Sequence, residues 1–251
     1  MLFDAIRERL KKEAFLPSRL SIVLSPIYII RRGLYRHISA LAPRITGTVL
    51  DFGCGSKPYE SLFTKATRYI GVDIGQSGHN HQTSKIDVFY DGNTLPFGNN
   101  TFDAVVCFEV LEHLFNAEHV LKEINRTLKD DALALFTLPF AWDEHEIPYD
   151  FARYTSFGIK HVLERAGFET IELRKSTTYF LAACQLLIAY FAQHVSPANR
   201  LARHATQMTV IFPLSLSAIL LNKILPKRYN YFCNIVILAR KTSASHIENQ
   251  I

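Results

Sequence analysis

Two features of this chain are best suited to bind a ligand: the stretch Asp51-Phe-Gly-Cys-Gly55 and, later in the sequence, Asp73. The glycines at 53 and 55 allow a sharp backbone turn that can approach a ligand closely, because neither carries a Cβ atom. Asp73 ends a short apolar run, and a carboxylate at the carboxyl end of a strand can bind both hydroxyls of a ribose. The pattern therefore predicts a turn that binds a nucleoside.

The residue type at position 58 distinguishes between two kinds of nucleoside ligand. A dinucleotide-binding turn has Gly or Ala three residues after its second glycine, where the helix approaches the pyrophosphate. This chain has Pro58 there. Asp51, two residues before Gly53, suits a cationic amino group instead. These residues favour a nucleoside that carries an amino acid over a nicotinamide dinucleotide.

A second group comprises Glu109, Glu112 and His113. If this stretch is helical, the i, i+3, i+4 spacing places all three side chains on one face. His145 would follow the fifth strand at the same edge of the sheet. A mixed carboxylate and imidazole set suits Mg²⁺ or Mn²⁺. The alternative is an acid and histidine turn that closes the nucleoside pocket without a metal, so the sequence leaves the metal undecided.

His145 is also the preferred general base for deprotonating a hydroxyl, because an imidazole ordinarily titrates near neutral pH. It opens the stretch His145-Glu-Ile-Pro-Tyr-Asp-Phe-Ala-Arg-Tyr-Thr155, which would form a loop over the strand ends, where an acceptor must enter. In the competing interpretation, Asp150 and Arg153 pair to brace the loop and His145 is a surface residue.

The elements that must position these residues are strands alternating with helices, which predicts an α/β fold with a mostly parallel, seven-stranded sheet. The expected strands are 48–52, 69–73, 87–90, 102–108, 132–138, 168–173 and 233–239, with helices at 116–128 and 155–166. The predicted organisation is a basic helical extension (1–45), a ligand-binding core (46–176), an apolar helical insertion (177–230), and a last strand and tail (231–251).

The ordered motifs of residues 46–176 resemble class I S-adenosylmethionine-dependent methyltransferases, specifically the large type 11 group. The resemblance rests on the Asp51 turn and Asp73, then on Asp91-Gly-Asn-Thr-Leu-Pro-Phe97, Thr101-Phe-Asp-Ala-Val-Val106 and Glu109-Val-Leu-Glu-His113, and on the helix around Leu121–Lys129. It implies a Rossmann-like sheet and S-adenosylmethionine as methyl donor.

The resemblance also implies roles for individual residues. Those expected to hold the methionyl end are Asp51, Gly53 and Gly55, with the Cys54 amide nearby, and a side chain at Gly53 would fill the methionyl space. Asp73 would bind the ribose, Ile74 would pack on the adenine, and Asp91 with Gly92 would contact the adenine edge. Glu109 is expected on both the cofactor and the acceptor sides, with Glu112, His113 and His145 as further catalytic residues.

The acceptor is less defined. A Glu-x-x-Glu-His similar to residues 109–113 binds a divalent ion in quinone-biosynthesis O-methyltransferases and small-RNA 2′-O-methyltransferases. The 145–155 stretch resembles enzymes of polysaccharide or lipid-linked sugar biosynthesis. The favoured interpretation is O-methylation of a small, lipid-linked or glycan-type acceptor at a membrane surface. The alternatives are an RNA 2′-O-methyltransferase and a catalytically silent S-adenosylmethionine-binding module.

Charge distribution bears on the partners. Residues 1–45 contain nine Lys/Arg and three Asp/Glu, a net of +6; residues 46–176 have a net of −7, and residues 177–251 a net of +6. An acidic core argues against nucleic acid, so none is expected as a partner. The basic, apolar ends favour docking on an anionic membrane surface. The apolar runs at 178–192 and 210–225 are expected to be too short to span a bilayer.

The expected location is the cytoplasm, with possible peripheral attachment to the cytoplasmic membrane. No signal-peptide pattern is apparent near residue 1. The four cysteines are far apart in the sequence, which is typical of reduced thiols.

Overall fold

The structure is a computed structural model that describes residues 13–75 and 84–242. Residues 1–12 of the predicted extension, 76–83 of the loop after Asp73, and 243–251 of the tail lie outside the described residues. The chain divides into two compact units. A helical unit contains residues up to 37 together with 175–234, and a sheet unit contains residues 38–174 together with those from 235 onwards.

The sheet unit is built on seven strands in the order β3-β2-β1-β4-β5-β7-β6. Their bounds are β1 Gly47–Phe52, β2 Ala66–Ile74, β3 Val88–Tyr90, β4 Phe102–Phe108, β5 Leu128–Pro139, β6 Phe168–Lys175 and β7 Asn234–Lys241. The first five pair in parallel. The predicted α/β class and seven-stranded sheet are confirmed.

The last strand runs against its neighbour β6. The Ser176 amide donates to Asn234 O at the end of β6 and the start of β7. At the opposite end, the Thr242 amide donates to Gly167 O. Because the end of one strand meets the start of the other at both points, the pair is antiparallel. The sheet is therefore mixed, with its parallel part in strands β1 to β5.

Strand β5 starts earlier than the sequence pattern predicts. It begins at Leu128, directly after the preceding helix, instead of at Ala132. Asp131 adopts a φ of +59°, a conformation that a short acidic side chain tolerates. The register against β4 shifts between Phe102 and Ala104, opposite this part of β5. An irregular strand of this kind carries polar residues without alternation, so the sequence pattern does not reveal it.

Two amphipathic helices belong to the sheet unit, α3 (Ala117–Thr127) and α4 (Ser156–Arg165). Their predicted caps are confirmed: the Asn116 side chain accepts the His119 amide, and the Thr155 hydroxyl accepts the Gly158 amide. The apolar positions of α3 are buried, including Val120, Leu121 and Ile124. Gly167 just after α4 has a φ of +81°, the left-handed conformation that ends helices.

The helical unit contains α1 (Ser21–Leu24), residues 28–37 of α2 (Tyr28–Leu41), α5 (Tyr179–Tyr190), α6 (Arg200–Thr206) and α7 (Phe212–Ile224). Its small apolar core joins Ile29, Ile188, Ile211 and Ala218. The predicted insertion between the sixth and seventh strands is therefore helical, as expected. The four cysteines are all free.

The expectation that the apolar run at 210–225 is too short to span a bilayer is wrong for the helix that contains it. The π turn Gln207–Ile211 joins α6 and α7 into a continuous 25-residue helix, Arg200–Ile224, that is long and apolar enough to cross a membrane by length and composition. Pro213 does not interrupt it, because proline is tolerated in the first turn of a helical segment and the preceding π turn changes the hydrogen-bond spacing.

Truncation of a core residue tests the packing of α3 on the sheet. Leu121 is fully buried, so Leu121→Ala should lower the free energy of unfolding by about 2–5 kcal/mol, through lost apolar burial and the cavity it leaves. The neighbouring exposed Lys122→Ala should change it by less than about 0.5 kcal/mol. Urea denaturation of both variants is the measurement, and equal stabilities would contradict the assigned helix face.

Candidate functional site

The glycine turn after β1 is tied to the end of β2 by its backbone. The amides of Gly53 and Cys54 both donate to Val72 O, at 2.9 and 3.2 Å. The Gly55 amide donates to Asp73 Oδ2 at 2.9 Å, and Asp73 Oδ1 accepts the Ile74 amide at 2.8 Å. The structure thus brings the predicted glycine turn and the predicted ribose acid into direct contact.

The two glycines of the turn face different surroundings. A Cβ atom on Gly53 would lie 2.4 Å from Val110 Cγ2, so this position is filled by protein. A Cβ atom on Gly55 would meet nothing within 4 Å. The expectation that a side chain at Gly53 would enter the ligand space is therefore wrong, because Val110 packs there. The open space that a ligand can enter lies at Gly55.

Asp51 lies beneath the turn and is buried. The Tyr69 hydroxyl donates to Asp51 Oδ2 at 2.9 Å. Burial raises the pKa of Asp51 to about 7, and the Tyr69 hydrogen bond and the charge of Lys57 only partly oppose this. A nearby cationic group would favour the charged carboxylate, so Asp51 suits a ligand that carries an ammonium.

Lys57 and Tyr69 are site residues that sequence reasoning missed. The Lys57 side chain is buried, forms an ion pair with Asp87, and lies with Nζ 5.7 Å from the centre of the Tyr69 ring. Asp87 Oδ2 also accepts the Gly71 amide at 2.6 Å. Thirty residues separate Lys57 from Asp87, so the tertiary fold brings them together: Asp87 directly precedes β3 and contacts both Gly71 of β2 and Lys57 of the turn after β1. No local motif carries a signal for this contact.

The residues expected near an adenine lie at the ends of β2 and β3. Ile74 Cγ2 is 3.9 Å from the position that a Cβ atom on Gly92 would occupy. Asp91 is exposed, and its Oδ1 accepts the amides of Asn93 and Thr94 at 2.8 and 2.9 Å. These hydrogen bonds hold the pKa of Asp91 below its usual value. Asp91 therefore braces its own turn beside Gly92.

The Glu109–His113 segment follows β4 and adjoins the glycine turn through Val110. Only Leu111–His113 form a helical turn, of the 3-10 type. Glu109 precedes it with a φ of +55°. The prediction that Glu109, Glu112 and His113 share one helix face is therefore wrong, because Glu109 lies outside the turn and its backbone is left-handed.

Glu112, His113 and His145 come together although two loops supply them. One ligand-type atom from each lies within 4.8 Å of the others, and the two imidazole rings meet edge to face at 4.7 Å. His113 Nδ1 is 2.8 Å from Tyr149 O, which makes Nδ1 the protonated nitrogen and leaves Nε2 as an acceptor. The cluster thus presents two imidazoles beside one carboxyl group.

Glu112 is the most buried member of this cluster. Its side chain is 0% exposed, and neither carboxyl oxygen has a hydrogen-bond partner among the described residues. Burial, and secondarily the charge of Glu109, raises the pKa of Glu112 well above its usual value. Burial also lowers the pKa of His113. Both changes favour the neutral forms of Glu112 and His113.

Asp150 and Arg153 brace the loop that carries His145. Arg153 Nη2 donates to Asp150 Oδ2 at 2.6 Å, and Nη1 contacts Asp150 Oδ1. Asp150 Oδ2 also accepts the His145 amide at 2.9 Å and lies 3.2 Å from His145 Nδ1. The ion pair foreseen as the competing interpretation is present. It holds His145 within the cluster and does not leave it as an isolated surface residue.

The groups of this site fit two kinds of ligand. The space at Gly55, with Asp73 and buried Asp51 beside it, suits a nucleoside that carries an ammonium. The unsatisfied oxygens of Glu112 and the Nε2 of His113 suit either a hydroxyl acceptor or a divalent cation. Fold and site together define a Rossmann-like protein that binds an amino-acid-bearing nucleoside beside an acid and imidazole cluster.

Comparison with known proteins identifies the family. The family described as a methyltransferase domain matches residues 28–173, more than half of the chain. The chain belongs to this family and is a class I S-adenosylmethionine-dependent methyltransferase by fold and motif. The assignment to the type 11 group stays a prediction.

Individual relatives agree with this. A protein of Mycolicibacterium smegmatis named as a probable S-adenosylmethionine-dependent methyltransferase is 30% identical over 142 residues, covering 51% of this chain and 55% of its own. An uncharacterised protein of Methanocaldococcus jannaschii is 35% identical over 99 residues, 38% of each chain. The chain thus spans about half or less of the length of these relatives.

A solved structure shows the same fold. A crystal structure of an S-adenosylmethionine-dependent methyltransferase from Archaeoglobus fulgidus superposes with a TM-score of 0.51 at 19% identity, covering 93% of this chain and 99% of that one. At this identity the match shows the fold alone. One fold supports many chemistries, so the reaction must be argued from the site residues.

The open space at Gly55 leads to a test of the cofactor site. Gly55→Arg should weaken S-adenosylmethionine binding by more than about tenfold, because the new side chain enters this space and the φ of +46° becomes strained. Gly98→Arg, at an exposed turn, is the matched control and should bind as the wild type does. Calorimetry with S-adenosylmethionine and with NADH is the measurement. Binding of NADH alone, or unchanged binding by the Gly55 variant, would contradict the assignment.

The raised pKa of Asp51 predicts a pH dependence of that binding. The ammonium of the ligand favours the charged carboxylate, so affinity should fall by about tenfold per pH unit below about 7 as Asp51 is protonated. Tyr69→Phe removes a hydrogen bond that lowers this pKa, so the midpoint should move to higher pH. Asp51→Asn should bind weakly without this dependence. Titration calorimetry from pH 5.5 to 8.5 tests all three proteins, and a wild type without any pH dependence would refute the role of Asp51.

Proposed function

We propose that this protein transfers the methyl group of S-adenosylmethionine to a hydroxyl oxygen of a small acceptor, lipid-linked or glycan-type, at the cytoplasmic surface of a membrane. The observation that carries the proposal is the cluster of Glu112, His113 and His145. It adjoins the glycine turn through Val110, which packs against Gly53. A hydroxyl acceptor bound at the cluster would therefore lie beside the cofactor turn.

S-adenosylmethionine supplies an already activated methyl group, so most of the rate enhancement can come from positioning the acceptor. In this proposal, His145 accepts the proton of the acceptor hydroxyl. His145 Nδ1 lies 3.2 Å from Asp143 O, its hydrogen-bond partner, and 3.2 Å from Asp150 Oδ2. Arg153 holds Asp150 in turn, so neighbouring groups orient the ring, as in other catalytic bases. His113 binds the acceptor hydroxyl from the neighbouring loop through Nε2, which lies 3.6 Å from Glu146 Oε1 but has no hydrogen-bond partner among the described residues.

The surroundings of the cluster support an apolar acceptor. Phe115 is 88% exposed, and its ring meets Phe151 edge to face at 5.6 Å. The Phe151 amide donates to Glu112 O at 2.8 Å, which attaches this aromatic pair to the cluster. Ile147 and Tyr149, in the same loop as His145, are also exposed. Apolar side chains around a polar centre suit a head group that carries a hydrocarbon chain.

A divalent ion is a second candidate ligand for the same cluster. Glu112, His113 and His145 would hold it, and it would orient the acceptor oxygen as a Lewis acid. The observation in its favour is that both Glu112 oxygens are buried without a hydrogen-bond partner among the described residues. In that case chelation would abolish activity, whereas a metal-free base mechanism would be unaffected.

Substitution of His145 tests the proposed mechanism. His145→Ala should lower turnover by about 10²–10⁴ if it is the general base, with S-adenosylmethionine affinity nearly unchanged. Asp150→Asn should lower turnover less, because it only positions the ring. His161→Ala, exposed on α4, is the control. The measurement is transfer of labelled methyl groups, with and without a chelator. Full activity of His145→Ala after chelation would exclude both the base and the metal role.

The acceptor class is tested by incubating the protein and labelled S-adenosylmethionine with fractionated cell extract. We expect the label in the lipid or glycan fraction. Label in RNA would favour the 2′-O-methyltransferase alternative, and an absence of label from every fraction, with intact cofactor binding, would favour a silent binding module.

A further inference from the structure

In the helical unit, polar side chains are buried beside the small apolar core, and many large apolar side chains are exposed. On the helix Arg200–Ile224, the buried positions are Gln207, Ile211, Ser215 and Ala218, two of which are polar. On α5, Gln185 is fully buried. Surface helices of water-soluble proteins show the opposite arrangement. Small and polar residues at the helix contacts are typical of helices that pack inside a membrane.

The buried amides have defined partners. Gln185 Nε2 donates to Pro26 O at 2.9 Å, and Gln207 Nε2 donates to Val23 O at 3.0 Å. The Thr178 hydroxyl donates to Asn222 Oδ1 at 2.6 Å and joins the start of α5 to the end of α7. Polar side chains therefore connect the helices of this unit internally, as they must where no water is available.

The outward surface of the unit is apolar. Only 22% of the most apolar 18-residue stretch of the helix Arg200–Ile224 is buried. Large apolar side chains exposed on this helix and on α5 are Leu187, Leu201, Met208, Leu216, Leu220, Leu221 and Ile224. A groove of about 120 Å³ between α5 and α7 is lined almost entirely by apolar atoms, including those of Leu187 and Leu221. An apolar surface this extensive marks a binding surface.

The ends of the helices carry charges and aromatic rings suited to lipid head groups. Arg200 and Arg203 lie at one end of the long helix, and Lys223, Lys227 and Arg228 lie at or just after the other. Tyr179, whose amide donates to Arg228 O, and Tyr229 are exposed near the second of these ends, and Tyr190 is exposed at the end of α5. Tyrosines and basic residues that flank an apolar stretch are the pattern of membrane interfaces.

From this arrangement we propose that the helical unit is embedded in a lipid bilayer, with its outward apolar surface in the hydrocarbon and its basic ends at anionic head groups. The occupant of the apolar groove is then a lipid hydrocarbon chain. The inference deepens the membrane-surface part of the proposed function, but it requires neither S-adenosylmethionine binding nor methyl transfer. It differs from salt-sensitive peripheral docking, because burial in hydrocarbon does not weaken at high salt.

Membrane extraction of the full chain is the first test. The protein should remain with membranes in 1 M salt and in alkaline carbonate and should be released by detergent. Release by salt alone would overturn the embedding. A soluble monomer that ignores vesicles would also overturn it, and so would a soluble dimer seen by analytical ultracentrifugation, since a second copy would then cover the apolar surface.

Two sets of variants distinguish the contribution of apolar side chains to membrane binding from that of basic side chains. Binding is measured by flotation of purified protein with vesicles. The triple variant Leu216→Gln, Leu220→Gln, Ile224→Gln should bind neutral phosphatidylcholine vesicles at least about tenfold more weakly. The matched control substitutes three exposed positions of the same helix that do not line the groove, His204→Gln, Ala205→Gln and Thr209→Gln, and should bind as the wild type does. Equal binding by the two triple variants would overturn the proposal.

The charge variant Lys223→Gln, Lys227→Gln, Arg228→Gln should lose about tenfold or more in affinity for vesicles that contain anionic phosphatidylserine, but little for neutral vesicles. An equal loss on both kinds of vesicle would contradict the head-group role of these residues. S-adenosylmethionine binding by calorimetry is measured for every variant. If it persists in a variant that no longer floats, the sheet unit is folded and the loss reports on the membrane surface alone.

Discussion

The site depends on one constraint, the parallel pairing of β1 with both β2 and β4. Phe52 is in register with Val72 on one side and with Cys107 on the other, so the three strands end at the same edge. Each strand then delivers its polar residues to that edge. Gly53 adopts a φ of +70°, and Val110 from the segment after β4 occupies the place where a Cβ would point, so both the backbone and the packing require glycine here. The glycine turn and the Glu109–His113 segment are therefore in contact at a single glycine.

Burial of acids gives this edge its electrostatic character. The folded state raises the pKa of Asp51 from 3.8 to about 7, so it favours the protonated form. The stability that Asp51 contributes is therefore fully present below about pH 3.8 and is lost as the pH rises through about 7. A bound cation offsets that loss. The same reasoning applies to Glu112, whose raised pKa reflects burial next to Glu109. Sites that destabilise a charged acid in this way are prepared to bind a positive ligand.

The helical unit follows a different physical rule from the sheet unit. In the sheet unit, Leu121 and Phe136 are buried, and Lys122, next to Leu121 on α3, is exposed. In the helical unit, Gln185 and Ser215 are inside while Leu220 and Ile224 are outside. The second pattern is the basis of the proposed embedding, since water favours apolar interiors and hydrocarbon favours satisfied polar interiors.

The sequence by itself determined the class of fold, the glycine turn and the position of Asp73, because these depend on local rules: apolar runs of strand length, glycine where φ is positive, and an acid at a strand end. It also identified the caps Asn116 and Thr155, since capping acts within one helical turn. It could not determine that Val110 fills the space at Gly53, or that Lys57 pairs with Asp87, because such contacts join residues far apart in the chain.

The tertiary structure alone decided how the acid and imidazole cluster is composed. The sequence placed Glu109 with Glu112 and His113 by helical spacing, but a 3-10 turn and a left-handed residue exclude Glu109 from that face. The tertiary structure also decided that Pro213 lies within a 25-residue helix, which local propensity argues against. In both cases the physical reason is the same: the packing of distant segments outweighs the preference of a few residues for a regular helix or for a break in one.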